Sequence, residues 1–571
     1  MLDMLRIVAA LTCLLSSIAL QTSDDKRPSH PSYEYEVARA HEIKPHRHSI
    51  PLEGVRAGFN QLHLTLTVSP TGDVINAEAA GGADVLKFWP QLQGEVAQWK
   101  FKPFEGNGKT VTAEVEEYID LVPPERLPKA HVTAPILQPD SKVTITLKRS
   151  ECMGSCPAYT VAVSTDGIVF DGGYSVVAHE KHTDKADPDE VRKLAKRFVA
   201  ADFYSMDDSY LAGVTDCATY VLSIAIDGHT KEVVDYVGEW EGMPAVISEL
   251  EDEVDTFART QRWIAGDDGL VPALLAEKFN FQSFEAQVML KEAASRGKTA
   301  TVKEFLEAGV PLKPFPAPKP KDEYRAVPFA EVGWLNAASE HPQTLQIVIN
   351  AGASKNDQND KDLALAGAAR SGSLISVRTL IAYGANPNVD LTKLTVTEPG
   401  GGMTLQGAGT GSVLIDAADS GNPDVVREIL RHHPRLELRD REGETALFAA
   451  GHYRDPDIEG ARVECVRLLV EAGADVNARD ENGNTPLHET FLTDVEEELL
   501  KLGADVNARN KDGETPIFTT VDDDAIPLFV EHGANLNLRN NKGQTVVEAA
   551  QEKGPSRQEA LRKAVQKLNQ R

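Results

Sequence analysis

The chain has 571 residues, with 59 Lys and Arg against 87 Asp and Glu, a formal charge of −28. At about 150 residues per domain that length holds three to four domains, and a chain this acidic repels phosphate backbones, which excludes nucleic-acid binding as its main role. Apolar residues make up 41% and aromatics 6%, which excludes a disordered polymer and fits helices with small sheets.

Residues 1–20 read as a signal peptide. A single Arg6 precedes Ile7 to Leu20, which carries no charge, and small Ser17 and Ala19 stand before polar Gln21-Thr22-Ser23-Asp24. As a helix that stretch reaches about 21 Å, short of the roughly 30 Å hydrocarbon core, so cleavage is expected rather than anchoring. Cys13 is no lipoprotein signal, because it follows Thr12 and lies inside the apolar stretch. The expected mature protein is periplasmic or secreted and meets the membrane only transiently, through the signal peptide.

Residues 30–125 form the first candidate domain. Leu62, Leu64, Leu66 and Val68 alternate with His63, Thr65 and Thr67, the pattern of a half-buried strand. Ser69-Pro-Thr-Gly-Asp73 is a turn, and Val74-Ile75 begins the return strand. Pro90 can open a helix with Leu92, Val96 and Trp99 on one face, and Thr110 to Val122 alternates again. The runs GFNQLHLTLTVSPTGDV, AQWKFKP and GNGKTVTAEV resemble the C-terminal domain of TonB-type energy transducers. That resemblance implies a small α+β fold with an edge strand able to accept another strand. It does not extend to energy transduction, since a persistent anchor and a long Pro-rich spacer are not visible. Residues 126–138 lack periodicity, and Arg126 to Asp140 carries three prolines, so this stretch reads as a linker.

Residues 139–264 predict a second small α+β domain. Val143, Ile145 and Leu147 alternate, Asp166-Gly167 and Asp227-Gly228 signal hairpins, and 188–203 and 246–257 carry helical spacing. Arg149, Cys152, Gly154, Cys156, Pro157, Tyr159, Asp216 and Trp263 follow the C-x-G-x-C-P-x-Y pattern of a bacterial domain family of unknown function, which this region resembles. Cys152 and Cys156 are the candidate disulfide, as expected in an oxidising compartment, while pairing of either with Cys217 stays open. Cys465, within an apolar helical run, is expected to pack as a small hydrophobe. A redox-active dithiol is the competing reading, but three residues separate these cysteines and strands flank them, unlike the redox motif.

Residues 265–571 repeat. Gly473-Ala-Asp-Val-Asn477 recurs at Gly503 to Asn507, with variants at Gly533 and Gly384, and Gly473, Gly503 and Gly533 stand 30 residues apart. Gly-Asn-Thr-Pro-Leu-His488 and Gly-Glu-Thr-Pro-Ile517 follow in register. This is similar to the ankyrin repeat, which implies about eight stacked helix pairs, some degenerate. Thr485 is a helix cap, Pro486 suits the first helical position, and Leu487 faces the core. The last units are shorter than the usual repeat of about 33 residues, so their first helices or turns are expected to be short. Insertions fall at 311–328, 390–412 and 453–461.

The overall reading is multidomain: a small α+β TonB-C-like domain, a second small α+β domain, then an all-α ankyrin solenoid. No cofactor, metal or catalytic constellation is expected. Gly106-Asn-Gly108-Lys109 fails as a phosphate loop because Pro103 stands where its first glycine belongs, His41 and His46 miss zinc spacing, and no G-x-S-x-G occurs. The expected role is a non-enzymatic scaffold for an unknown protein partner in the cell envelope. Its contacts are placed at the hairpin tips, Arg441 and Glu442, Glu481 and Asn482, Lys511 and Asp512, Asn541 and Lys542, which are polar, adjacent in successive units and not required by the fold. Alternatives are an envelope adapter using strand addition and a thiol-disulfide activity at Cys152 and Cys156.

Overall fold

A computed structural model describes residues 32–33, 49–52, 55, 60–106, 109–126, 128, 130–153, 156–313, 315, 333–396, 405–406, 411–452, 459–490, 492–520, 523–553 and 555–569. The signal-peptide segment, Gly154, most of the Pro-rich insertion and residues 453–458 of the 453–461 insertion lie outside the described residues. The chain divides into two compact units between Lys278 and Phe279.

The first unit holds two sheets. In one, β3 (Gln61–Val68) turns into β4 (Val74–Ala80), and β7 (Ala113–Val122) returns antiparallel on the other side of β3. Short segments β1 (Ser32–Tyr33) and β2 (Ser49–Pro51) run parallel to β7. The alternation seen in the sequence buries Leu62, Leu64, Leu66 and Val68 completely. Two helices, α1 (Ala83–Leu86) and α2 (Trp89–Val96), follow β4; Pro90 stands in the first turn of α2, and Leu92 and Val96 join the core with Trp99, Phe101 and Phe104. A small hairpin, β5 (Phe104–Gly106) and β6 (Lys109–Val111), precedes β7.

The second sheet has the order β11-β10-β9-β8-β13-β14-β12. At its centre β8 (Val143–Arg149) pairs antiparallel with β13 (Tyr220–Ile226). Each leads a hairpin outward: β9 (Tyr159–Ser164) with β10 (Gly167–Gly172) on one side, β14 (His229–Tyr236) on the other. Edge strands are β11 (Lys181–Asp184) and β12 (Ser209–Leu211). Helices α3 (Pro188–Ala200) and α4 (Ala245–Ala258) bury Val191, Leu194 and Phe198, and Ile247, Leu250 and Val254. The stretch read as a linker is pinned here rather than loose: Arg126 N donates to Gly242 O (2.6 Å), Arg126 pairs with Glu241 (3.0 Å), and Val132 N donates to Ser205 Oγ (2.8 Å).

Residues 265–278, read from the sequence as the start of the repeats, pack with this sheet. After α5 (Thr260–Ala265), helix α6 (Leu270–Ala276) buries Leu270, Val271 and Leu274. Glu277 then bonds His182 Nδ1 (2.6 Å) and accepts from Thr183 N (3.0 Å). The helical unit therefore starts at Phe279 and not at residue 265.

That unit contains eight helix pairs among the described residues. They are α7 (Phe284–Ser295) with α8 (Thr299–Glu307), α9 (Trp334–Ala338) with α10 (Pro342–Asn350), α11 (Gln358–Arg370) with α12 (Leu374–Ala382), and α13 (Val413–Asp419) with α14 (Pro423–Leu430). Next come α15 (Ala446–Gly451) with α16 (Glu459–Glu471), α17 (Pro486–Glu489) with α18 (Thr493–Lys501), α19 (Pro516–Thr519) with α20 (Ile526–Glu531), and α21 (Val546–Lys553) with α22 (Pro555–Asn569). First helices pack on first helices and second on second along the array, so each pair buries its apolar side against its neighbours. The shortening falls on α17 and α19, each of four residues. Within the 390–412 insertion, β15 (Thr395–Val396) pairs with β16 (Leu405–Gln406). Among the described residues no helix is long and apolar enough to cross a membrane.

Candidate interaction surface

Each full repeat presents a two-residue tip built by one recurring turn. Asp480 Oδ1 accepts from the amides of Asn482 (2.8 Å) and Asn484 (2.7 Å). Asp440 does this for Glu442 and Glu444, Asn510 for Asp512 and Glu514, and Asn540 for Lys542 and Gln544. A short side-chain acceptor bonding amides two and four residues on fixes the turn locally. Burial pushes the Asp440 carboxyl above its usual range, and the Glu444 and Glu442 carboxylates push it further.

Tips are then chained to one another. Glu481 N donates to Glu442 O (3.1 Å), Lys511 N to Asn482 O (2.8 Å), and Asn541 N to Asp512 O (2.8 Å). Arginine side chains run beneath this ladder: Arg479 Nη1 donates to Gly483 O and to Arg509 O, both at 2.7 Å, and Arg509 Nη2 donates to Arg539 O (2.6 Å). Arg439 repeats the pattern with Gly443 O and Arg479 O. A second stitch uses asparagine: Asp505 N donates to Asn477 Oδ1 (2.7 Å), and Asn535 N to Asn507 Oδ1 (2.8 Å). The recurrence of Asn and Arg at a 30-residue interval was visible in the sequence, but their role in joining repeats was not, because those partners lie one repeat away.

All eight sequence-selected tip residues are exposed: Arg441, Glu442, Glu481, Asn482, Lys511, Asp512, Asn541 and Lys542. The structure brings them into one row. It also corrects the expectation that the fold has no use for them. Their backbone groups carry the ladder, and the Asn541 side chain donates to Lys511 O (2.7 Å). The row carries three cations, Arg441, Lys511 and Lys542, against three anions, Glu442, Glu481 and Asp512, so it is balanced on a strongly acidic chain.

His488 is structural. Its Nδ1 accepts from Thr485 N (3.0 Å) and its Nε2 lies 3.2 Å from Glu514 O in the next repeat. These bonds suit a neutral ring, and burial lowers its pKa to about 4. Cys152 and Cys156 are joined by a disulfide with Cα atoms 5.5 Å apart, leaving Cys217 and Cys465 as thiols. Cys465 is fully buried, and burial pushes its pKa up to about 12, which suits an inert packing role. Among the described residues no group of His, Cys, Asp and Glu could hold a metal ion.

Three family models match this chain. The Domain of unknown function (DUF6438) covers residues 143–258, the model of three ankyrin copies covers 414–494, and that of a single ankyrin repeat covers 482–511. The chain therefore contains ankyrin repeats and a distinct domain of unknown function. It is similar to mouse diacylglycerol kinase iota, 43% identical over 101 residues, 17% of this chain and 9% of that protein. It is also similar to zebrafish neurogenic locus notch homolog protein 1, 32% identical over 94 residues (16% and 4%), and to mouse RelA-associated inhibitor, 40% identical over 76 residues (13% and 8%). The matched stretch spans less than a tenth of the length of each of these relatives.

Proposed function

We propose that this is an exported, periplasmic or secreted, non-enzymatic scaffold that binds a protein partner through its ankyrin tips. The observation that carries this reading is the tip row, with exposed side chains of both signs held on a hydrogen-bonded backbone ladder. A surface ordered before binding loses little conformational entropy on association, and a row of mixed charge selects a complementary partner more than it adds raw affinity. One relative, RelA-associated inhibitor, is named for its association with another protein. Export is supported by the uncharged Ile7 to Leu20 stretch and by the Cys152–Cys156 disulfide.

A photo-crosslinking residue at Glu481 or Lys511 in intact cells should attach one discrete protein, and Asp512→Lys beside it should abolish the adduct. Absence of any adduct at both positions, with the protein folded and exported, would remove the reading.

A second reading has its own support. β4 ends its sheet with one side unpaired among the described strands, and Ile75 on it is 62% exposed. The hairpin, helix and returning strand of that sheet agree with a TonB-C-like domain, so strand addition there would make the protein an envelope adapter. A crosslinker at Ile75 that captures a protein when those at Glu481 and Lys511 do not favours the adapter. Thiol-disulfide activity is the remaining alternative, and Cys152→Ser would abolish it while the fold persists.

A further inference from the structure

Arg149 ends β8 on its buried face. In register, Tyr159 of β9 stands on one side of it and Tyr220 of β13 on the other. Arg149 is 5% exposed, and both tyrosines are buried. The Tyr220 ring centre lies 5.1 Å from the guanidinium carbon and covers one face of it. Asp255 of α4 lies beside Tyr159 and accepts a hydroxyl at each oxygen: Tyr159 Oη donates at 2.6 Å and Thr260 Oγ1 at 2.9 Å.

Among the described residues nothing accepts a hydrogen bond from Arg149 Nε or Nη2, and both nitrogens are shielded from solvent. These two N–H groups form the side-on edge of the guanidinium, which matches two oxygens of a single oxyanion. Elsewhere in this chain the same edge meets one carboxylate: Arg370 Nε and Nη2 both donate to Asp416 Oδ1, and Arg197 Nε and Nη2 both donate to Glu253 Oε1, with Nε also reaching Oε2. Arginine cannot relieve its burial by losing a proton, so an empty buried edge is costly and calls for an anion.

We propose that Arg149, between Tyr159 and Tyr220, is the binding residue for a small oxyanion, a carboxylate or a phosphate, held bidentate by Nε and Nη2. This site belongs to the domain of unknown function and stands whether or not the ankyrin tips bind a partner. Tyr220 blocks approach over one face of the guanidinium, so the anion enters in its plane, a geometry that Lys cannot reproduce.

The test titrates the full chain with acetate or with inorganic phosphate, against chloride at equal ionic strength. At least one of the two should bind saturably, and the two arms tell carboxylate from phosphate. Lys148→Met, which removes an exposed cation from the opposite face of the same strand, should leave binding unchanged. Arg149→Lys should weaken it roughly tenfold to a hundredfold, the loss expected for a bidentate charged pair. If Arg149→Lys does not fold, the wild-type protein labelled at arginine supplies the answer: the Arg149 Nε–H resonance should move saturably with the bound anion. A resonance that neither anion moves, or an Arg149→Lys protein that binds as tightly as wild type, overturns the proposal.

Discussion

His488 couples the array to pH. Its ring is neutral in the fold, since burial lowers its pKa from 6.5 to about 4. Between those values the unfolded chain binds a proton that the folded chain refuses, so stability is complete above pH 6.5 and falls as the pH drops toward 4. The loss is up to about 3 kcal/mol. Urea unfolding at neutral and acid pH should show it, and His488→Gln should flatten the slope; equal slopes in both proteins would assign acid sensitivity elsewhere. Gly443 and Gly503 separate two uses of glycine. Both have positive φ, +81° and +98°, but a Cβ on Gly443 would lie 2.9 Å from Glu481 N, whereas one on Gly503 meets open space. Gly503→Ala should cost about 1 kcal/mol from its backbone alone. Gly443→Ala should cost at least about 2 kcal/mol, because it also pushes neighbouring tips apart. Similar losses at both positions would argue against tight tip stacking.

At the scale of elements, the one-turn helices α17 and α19 survive because side chains bond their ends. Thr485 and His488 form a reciprocal cap at the start of α17. The end of α19 is held by Arg557 of α22, whose Nη2 donates to Ile517 O (2.6 Å) and Nη1 to Thr520 O (2.8 Å), with Asp523 3.2 Å away as counter-charge. Arg462 of α16 plays the same part, with Nη2 donating to Asp419 O (3.1 Å) at the end of α13. A cation at a helix C-terminus satisfies carbonyls that lack partners in the helix. Arg557→Met should therefore destabilise the array by about 2–4 kcal/mol in denaturant unfolding, and a change under about 0.5 kcal/mol would mean these bonds are replaced by water. Neither arginine was legible in the sequence. A lone Arg among helical residues reads as solvated, and only the third dimension shows that its nearest carbonyls belong to an earlier helix. Leu487 and Pro486 were legible, because their roles are set within a few residues of themselves.

For the whole molecule, legibility followed the range of the interactions. The array repeats one solution, so Gly473, Gly503 and Gly533 announce it at a fixed interval. In the first unit the alternation of Leu62 to Val68 marked a strand, but nothing local placed Ser32–Tyr33 and Ser49–Pro51 in parallel beside β7. The pairing of His182 with Glu277, which draws residues 265–278 onto the second sheet, joins positions far apart in the chain. Arg149 belongs to a motif legible in the sequence, yet its empty edge depends on the strands that flank it. The eight tip residues are exposed, while the ladder that joins them is not legible in the sequence, since each bond crosses from one repeat to the next.

The most direct test is the affinity of the crosslinked partner, purified, for the wild-type chain and for a variant carrying Glu442→Lys, Glu481→Lys, Lys511→Glu and Asp512→Lys, with melting temperature recorded for both. These side chains lie outside the ladder bonds, so melting should stay within about 2 °C while binding weakens by about tenfold or more. Undiminished affinity in a folded variant would contradict the tip row as the binding surface.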